Sequence, residues 1–198
     1  MSLAIGLSCK SESSLAVLPL SALKAVPNAA HLALAVLSIP EHLKVVAPSA
    51  TKFTLVTQNV DGLSARAFRE ACPTGGELPL FEMHGRLFET VCTACKDRMA
   101  NFDSPICPAL GGTEELVEKY TKEPDIPLEN LPRCQKPNCN GLLRPGVVWF
   151  DEIPHHLEEI NKIVDEADLA LVVGTSSVVL IYHLQAPPKP KLLSKFST

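Results

Sequence analysis

The chain has 198 residues, 46% hydrophobic and 20% charged, which fits one globular domain or one domain carrying a small inserted module. Eighteen Lys and Arg against 22 Asp and Glu leave a net charge of −4, so no basic excess exists to drive binding to a nucleic-acid backbone. Ten Gly and 17 Pro fall short of a disordered composition, and the most apolar region, Leu15 to Leu37, is broken by Pro19, Lys24, Pro27, Asn28 and His31 before it reaches the ~18 residues of a membrane span.

Residues 1–25 show no clear hydrophobic period and form an unassigned N-terminal segment. They lack the basic flank and small-residue cleavage site of a secretory signal, so an intracellular protein is expected. The Ser-rich, acid-poor start leaves a mitochondrial presequence open beside a cytoplasmic or nuclear location. PNAAHLALAVL then places Ala30, Leu34 and Leu37 at helical spacing behind Asn28, a suitable N-cap. KFTLVTQNVDGL predicts a strand over Phe53 to Thr57 that runs into a polar loop and Gly62. Ser64 to Ala71 reads as a short helix, followed by a Gly75-Gly76 turn. Residues 92–139 form a proline-rich, cysteine-bounded insert too poor in apolar residues for a large core of its own.

The last third returns to α/β order. GLLRPGVVWF predicts an apolar strand from Val147 to Phe150. Leu157, Ile160, Val164 and Ala167 share one helix face, and LALVV then reads as a buried strand ending at Gly174-Thr175-Ser176-Ser177. The tail over 181–198 reads as a solvated extension. Helices alternating with buried strands predict an α/β fold: a partial Rossmann-like parallel sheet with an inserted small zinc-ribbon module. Ligands of such sheets bind beyond the carboxyl ends of strands, where the loops Gln58–Asp61 and Gly174–Ser177 both fall.

Seven cysteines, an odd number, suit a disulfide framework badly. Cys92-x-x-Cys95 and Cys134-x4-Cys139 instead offer four thiolates, a tetrahedral set for zinc. With every position taken by sulfur, none remains for water, so such a zinc is structural and contributes to folding. Four unrelated buried thiols are the competing reading. Cys107 lies outside both pairs and reads as a spare thiol, while Cys9 and Cys72 read as incidental.

Of six histidines, His84 in FEMHGRLFE is the best candidate for a working base, since an imidazole takes a proton near neutral pH and Gly85 behind it permits close approach. A lone histidine is more often a surface or core residue, and the adjacent His155 and His156 keep that reading. Gln58, Asn59 and Asp61 at a strand end could read a carboxamide and ribose hydroxyls, although a polar turn is equally economical. Gly174, Thr175 and Ser176 after a buried strand suit a phosphate or ribose. No G-x-G-x-x-G fingerprint occurs.

The joint order is more specific than any part. PNAAHLAL, TLVTQNVDGLS, EMHG, the two cysteine pairs, RPGVVWFDE and LVVGTSS follow one another, and over roughly residues 26–180 the chain strongly resembles the sirtuins, NAD-dependent protein-lysine deacylases of the acyltransferase class. SPICPAL at 104–110 and RPGVVWF at 144–150 look most like the class III, sirtuin-5-like branch. The resemblance implies that His84 is the proton acceptor and that Cys92, Cys95, Cys134 and Cys139 hold a structural zinc. Gln58, Asn59 and Asp61 would line the nicotinamide and ribose pocket, and Gly174, Thr175 and Ser176 would contact the adenosine side. Val148, Trp149 and Phe150 would form the strand beside which an acyl-lysine peptide lies. It implies an NAD-binding core over 26–91 and 140–180, split by the 92–139 zinc insert. It implies too that the acyl oxygen attacks the ribose carbon bearing nicotinamide, and that His84 then draws a proton from the ribose hydroxyls so that the acyl group passes to ADP-ribose.

The family's Gly-rich phosphate loop has no counterpart in residues 1–50, nor do the Tyr and Arg with which class III members recognise acidic acyl groups. Position 146 is Gly where that class usually has His, position 151 is Asp where the family usually has Gly, and after Val179 the chain turns into a Pro/Lys tail. The expectation is a sirtuin-like chain truncated at both ends, with weak NAD binding and low turnover. Two other functions stand beside the deacylase: a non-catalytic zinc-stabilised module that binds a protein partner, and ADP-ribosyl transfer from the same pocket. Neither a membrane nor direct nucleic-acid binding is expected, and oligomeric state is not legible.

Overall fold

A computed structural model describes residues 23–73, 78–112, 126–149 and 152–173, together with the backbone of 191–192. Helix α1 (Ala29–Val36) opens on the predicted cap: Asn28 Oδ1 accepts from the backbone N–H groups of Ala30 (3.0 Å) and His31 (3.1 Å), and the His31 ring accepts in return from the Asn28 N–H (3.3 Å). Its buried position is Ala35, not the predicted Ala30–Leu34–Leu37 stripe: Ala30 is exposed and Leu37 is the C-cap. The reason is the neighbour. Ala35 packs against Ala67 and Phe68, and two alanines let the helix backbones approach closely. A second helix, α2 (Pro40–Val46), follows with Pro40 in its first turn, where a missing N–H costs nothing.

Strand β1 (Leu55–Thr57) leads through helix α3 (Leu63–Ala71) to β2 (Leu80–Glu82), and the two strands pair in parallel with Leu55 opposite Leu80 and Thr57 opposite Glu82. This is the β-α-β unit the alternation predicts. Helix α3 buries Leu63, Ala65, Ala67 and Phe68, and the last two pack against Ala35 of α1 and Leu55 of β1. The predicted Gly75-Gly76 turn lies outside the described residues.

The second sheet is antiparallel, in the order β4-β3-β5: β3 (Gly85–Cys92) is central, with β4 (Arg98–Ala100) and β5 (Leu143–Val147) on its flanks. Strand β5 corrects the sequence reading, which placed it at Val147 to Phe150. An apolar run marks burial, whereas the strand's limits come from its partner, and β3 pairs from Cys92 opposite Leu143 to Gly85 opposite Val147. Pro145 is accommodated because β5 is an edge strand.

A register shift between Arg86 and Thr90 brings the strands close. Gly85 (φ +78°) sits where a Cβ would lie 2.0 Å from the Gly146 carbonyl oxygen, and a Cβ on Gly146 would meet Glu89 Oε1 at 2.9 Å. Gly85→Ala therefore combines a left-handed backbone with a clash against main chain, and we expect it to lower unfolding free energy by about 3 kcal/mol or more, read by urea denaturation.

Helix α4 (Leu157–Glu166) matches the predicted face, with Ile160 buried and Leu157 and Val164 half-buried. Strand β6 (Leu169–Ala170) does not match the predicted buried strand. Leu169, Leu171 and Val173 are 59%, 62% and 67% exposed, because β6 pairs only with β7 (Lys191–Leu192) among the described residues. That parallel pairing also corrects the reading of the tail as wholly solvated; its other residues lie outside the described ones. Among the described residues no single helix is long and apolar enough to cross a membrane.

Candidate functional site

The loop after β1 is shaped by its own side chains. The Asn59 N–H donates to Thr57 Oγ1 (3.1 Å), and Asp61 Oδ1 accepts from the Leu63 N–H (3.0 Å), which caps α3 where Gly62 (φ +69°) offers no side chain. The Leu87 N–H donates to the Val60 carbonyl (2.8 Å), tying this loop to β3. His84 lies in the turn between β2 and β3. Backbone bonds hold that turn from three directions: Met83 N–H to Thr57 O (3.1 Å), Val148 N–H to His84 O (2.8 Å) and His155 N–H to Met83 O (2.8 Å). The structure thus brings the end of β1, half-buried His84 and the segment after β5 together from three distant stretches of chain. Gly174, Thr175, Ser176 and Phe150 lie outside the described residues.

Sequence reasoning missed the supports of this turn. Glu82, directly before it, is buried with Oε2 on Arg86 Nε (2.6 Å), and its Oε1 has no hydrogen-bond partner among the described residues. Arg98 bridges Glu89 (2.5 Å) and the His155 ring (3.4 Å). Burial first, and then the charges of Arg98 and His156, outweigh Glu89 and Glu152 and hold the His155 pKa below its ordinary 6.5. As pH falls, the unfolded chain then takes up this proton before the folded chain does, so stability is lost below about pH 6.5. His155→Gln is expected to flatten the decline in Tm between about pH 7 and 5, checked by thermal melts across that range.

The four predicted sulfurs converge. Cys92 ends β3, Cys95 closes the turn behind it, and Cys134 and Cys139 face them, all four Sγ atoms lying within 4.8 Å of one another. The pair Cys92–Cys139 is 3.5 Å apart and Cys95–Cys134 is 3.8 Å apart. Sulfurs 2.3 Å from a tetrahedral zinc are separated by about 3.8 Å, so the cage has the size of that ion. All four are free thiols. The Cys95 N–H points at Cys92 Sγ (3.4 Å), Lys96 takes a left-handed turn (φ 61°), and an Asp97–Lys136 ion pair (2.7 Å) joins the two halves.

Crowding drives the thiols apart in acidity. The Cys95 N–H foremost, opposed by burial and helped by the Ala94 N–H and neighbouring thiols, brings Cys92 down to about 6. At Cys134 the Lys136 N–H pulls the pKa down, but burial and the other three sulfurs outweigh it and push it up to about 12. Burial and mutual repulsion disfavour four thiolates together, and a divalent ion among them reverses that repulsion. Gly141 is a further requirement that spacing did not reveal: a Cβ there would lie 2.7 Å from Cys92 Sγ, while its carbonyl accepts from the Cys134 N–H (2.8 Å). Cys107 stands apart, directed at the Asn130 carbonyl (3.4 Å).

A β-α-β unit and a cysteine-caged ribbon that converge on one histidine turn define a Rossmann-like α/β protein with a metal-binding module. Residues 14–181 match the Sir2 family. The chain is 44% identical over 163 residues to the NAD-dependent protein deacylase sirtuin-5, mitochondrial, of Xenopus tropicalis, covering 81% of this chain and 48% of that protein. Among solved structures it is similar to an ADP-ribose complex of a mutant Sir2 homologue (TM-score 0.54, 32% identity, 82% of this chain and 50% of the other). It is likewise similar to a Sir2 homologue–NAD complex (TM-score 0.51, 34% identity, 80% and 47%). The chain belongs to the Sir2 family, on its sirtuin-5-like branch. It spans about half the length of the curated relatives it matches.

Proposed function

We propose that this chain carries the catalytic turn of an NAD-dependent protein-lysine deacylase, inside the cell, acting on acyl-lysine peptides and releasing nicotinamide. The observation that carries the reading is the pair of backbone bonds from Met83 to Thr57 (3.1 Å) and from Val148 to His84 (2.8 Å). They support the reading by joining the turn that carries His84, the best candidate base, to the polar end of β1 and to the segment after β5.

In this reading Gln58, Asn59 and Asp61 orient the nicotinamide and its ribose, and Gly174, Thr175 and Ser176 meet the adenosine side. His84 accepts a proton from the ribose hydroxyls at its ring nitrogen. Val148, Trp149 and Phe150 flank the acyl-lysine. Cys92, Cys95, Cys134 and Cys139 hold a zinc that braces β3 and β5 and takes no part in proton transfer. The core over 26–91 and 140–180 and the module over 92–139 are the units this reading assigns.

The test is nicotinamide release from NAD by the full chain, with an acetyl-lysine peptide and with the same peptide bearing free lysine. Release that depends on the acyl group supports the deacylase. Release without peptide acylation supports ADP-ribosyl transfer, and no release with tight metal binding leaves the zinc-stabilised binding module.

A further inference from the structure

His84 stands at a corner. Strand β2 belongs to the parallel sheet and β3 to the antiparallel one, so Met83 and His84 carry the chain from one sheet to the other. Glu82 is the last residue of β2, in register with Thr57, and Arg86 is the second residue of β3, in register with Gly146. The bond from Arg86 Nε to Glu82 Oε2 (2.6 Å) therefore crosses the corner and ties the two sheets together from either side of residue 84.

Stability alone is a poor reason for this pair. The Glu82 side chain is 6% exposed and that of Arg86 59% exposed, so the carboxylate is withdrawn from water while its cation stays largely solvated. Glu82 Oε1 is buried with no hydrogen-bond partner among the described residues. A carboxylate so placed loses much of its solvation, and an apolar pair of similar volume commonly gives equal or greater stability. Apolar contacts already hold this region, where Leu87 and Val147 pack with Val60 and Phe88. What the ion pair adds is direction, since a guanidinium Nε–H aimed at one oxygen fixes the relative setting of its two strands. The corner needs it: Gly85 (φ +78°) has no side chain of its own to resist rotation there.

We propose that Glu82 is a positioning residue for His84: through its bond to Arg86 it sets the angle at which the corner presents the imidazole to the end of β1. The inference rests on the deacylase reading above, and Glu82 itself touches neither peptide nor NAD in it. Misplacing a reacting group by about 1 Å can cost about a hundredfold in rate, so a small rotation of the corner is enough to matter.

Two variants test this in the full-length chain. Glu82→Leu combined with Arg86→Met removes both charges and leaves apolar volume in their place, while Glu82→Gln keeps the size and loses the charge. Without ligand, both are expected to keep the wild-type melting temperature, and the apolar pair to equal or exceed it. His84 is expected to react faster with diethylpyrocarbonate, read by peptide mass mapping with His42 of helix α2 as internal reference. With NAD and an acetyl-lysine peptide, kcat for nicotinamide release is expected to fall about tenfold in the apolar pair and less in Glu82→Gln, with KM for both substrates unchanged. A His84 reaction rate at or below that of wild type, an unchanged kcat, or turnover that falls only in step with melting temperature overturns the positioning role and leaves the deacylase reading in place. A wild-type chain that releases no nicotinamide with the acetylated peptide overturns the deacylase reading, and the positioning role falls with it.

Discussion

Full-length protein is expected to bind one zinc ion per chain, and Cys134→Ser or a strong chelator is expected to remove it and unfold the ribbon around β3, β4 and the start of β5. Structural zinc in small finger peptides contributes about 10–16 kcal/mol of apparent binding free energy, all of it coupled to folding. Here the cage closes a long excursion: Cys92 and Cys95 sit on one side, Cys134 and Cys139 on the other, with a 3.5 Å and a 3.8 Å sulfur contact between the halves. Besides the β3–β5 ladder and the Thr93 N–H bond to the Leu142 carbonyl (2.8 Å), the support among the described residues is modest, since the Asp97–Lys136 pair is partly exposed. Elemental analysis, far-ultraviolet circular dichroism and thiol titration would check this together. A Cys134→Ser chain that keeps its metal and its melting temperature would contradict the structural role.

If the proposed deacylase reading holds, His84→Ala is expected to lower acyl-dependent nicotinamide turnover by about 10²–10⁴-fold, the usual contribution of a positioned general base. The substitution leaves the three backbone bonds of the turn in place, because Thr57, Val148 and His155 contact main-chain atoms of residues 83 and 84. Melting temperature should therefore change little while turnover falls. Turnover within a few-fold of wild type would remove His84 from the chemistry.

The metal cage was legible because ligand chemistry is written locally: two thiols at a two-residue spacing face one ion wherever the turn is placed. The Asn28 cap and the Leu157–Ile160–Val164 face were legible for the same reason, since capping and helical periodicity involve neighbours along the chain. The limits of β5 were not. Its apolar run pointed to Val147–Phe150, and the observed strand, Leu143–Val147, follows from pairing with a β3 more than fifty residues earlier. Gly141 and Glu82 were equally silent, because each matters only through a contact made across the fold.

Residue types and their spacing alone thus determined the chemistry available to this protein: four thiols suited to one ion, an imidazole able to carry a proton, and a polar loop at a strand end. Only the tertiary structure decided that the four thiols meet one another at the Cys92 end of β3, and that the histidine turn at its Gly85 end meets the end of β1. A Met83 N–H on Thr57, a Val148 N–H on His84 and a Gly85 that admits the Gly146 carbonyl join segments with no local preference for one another. Such contacts depend on strand register and close packing, and these become defined when distant parts of the chain bury their surfaces together.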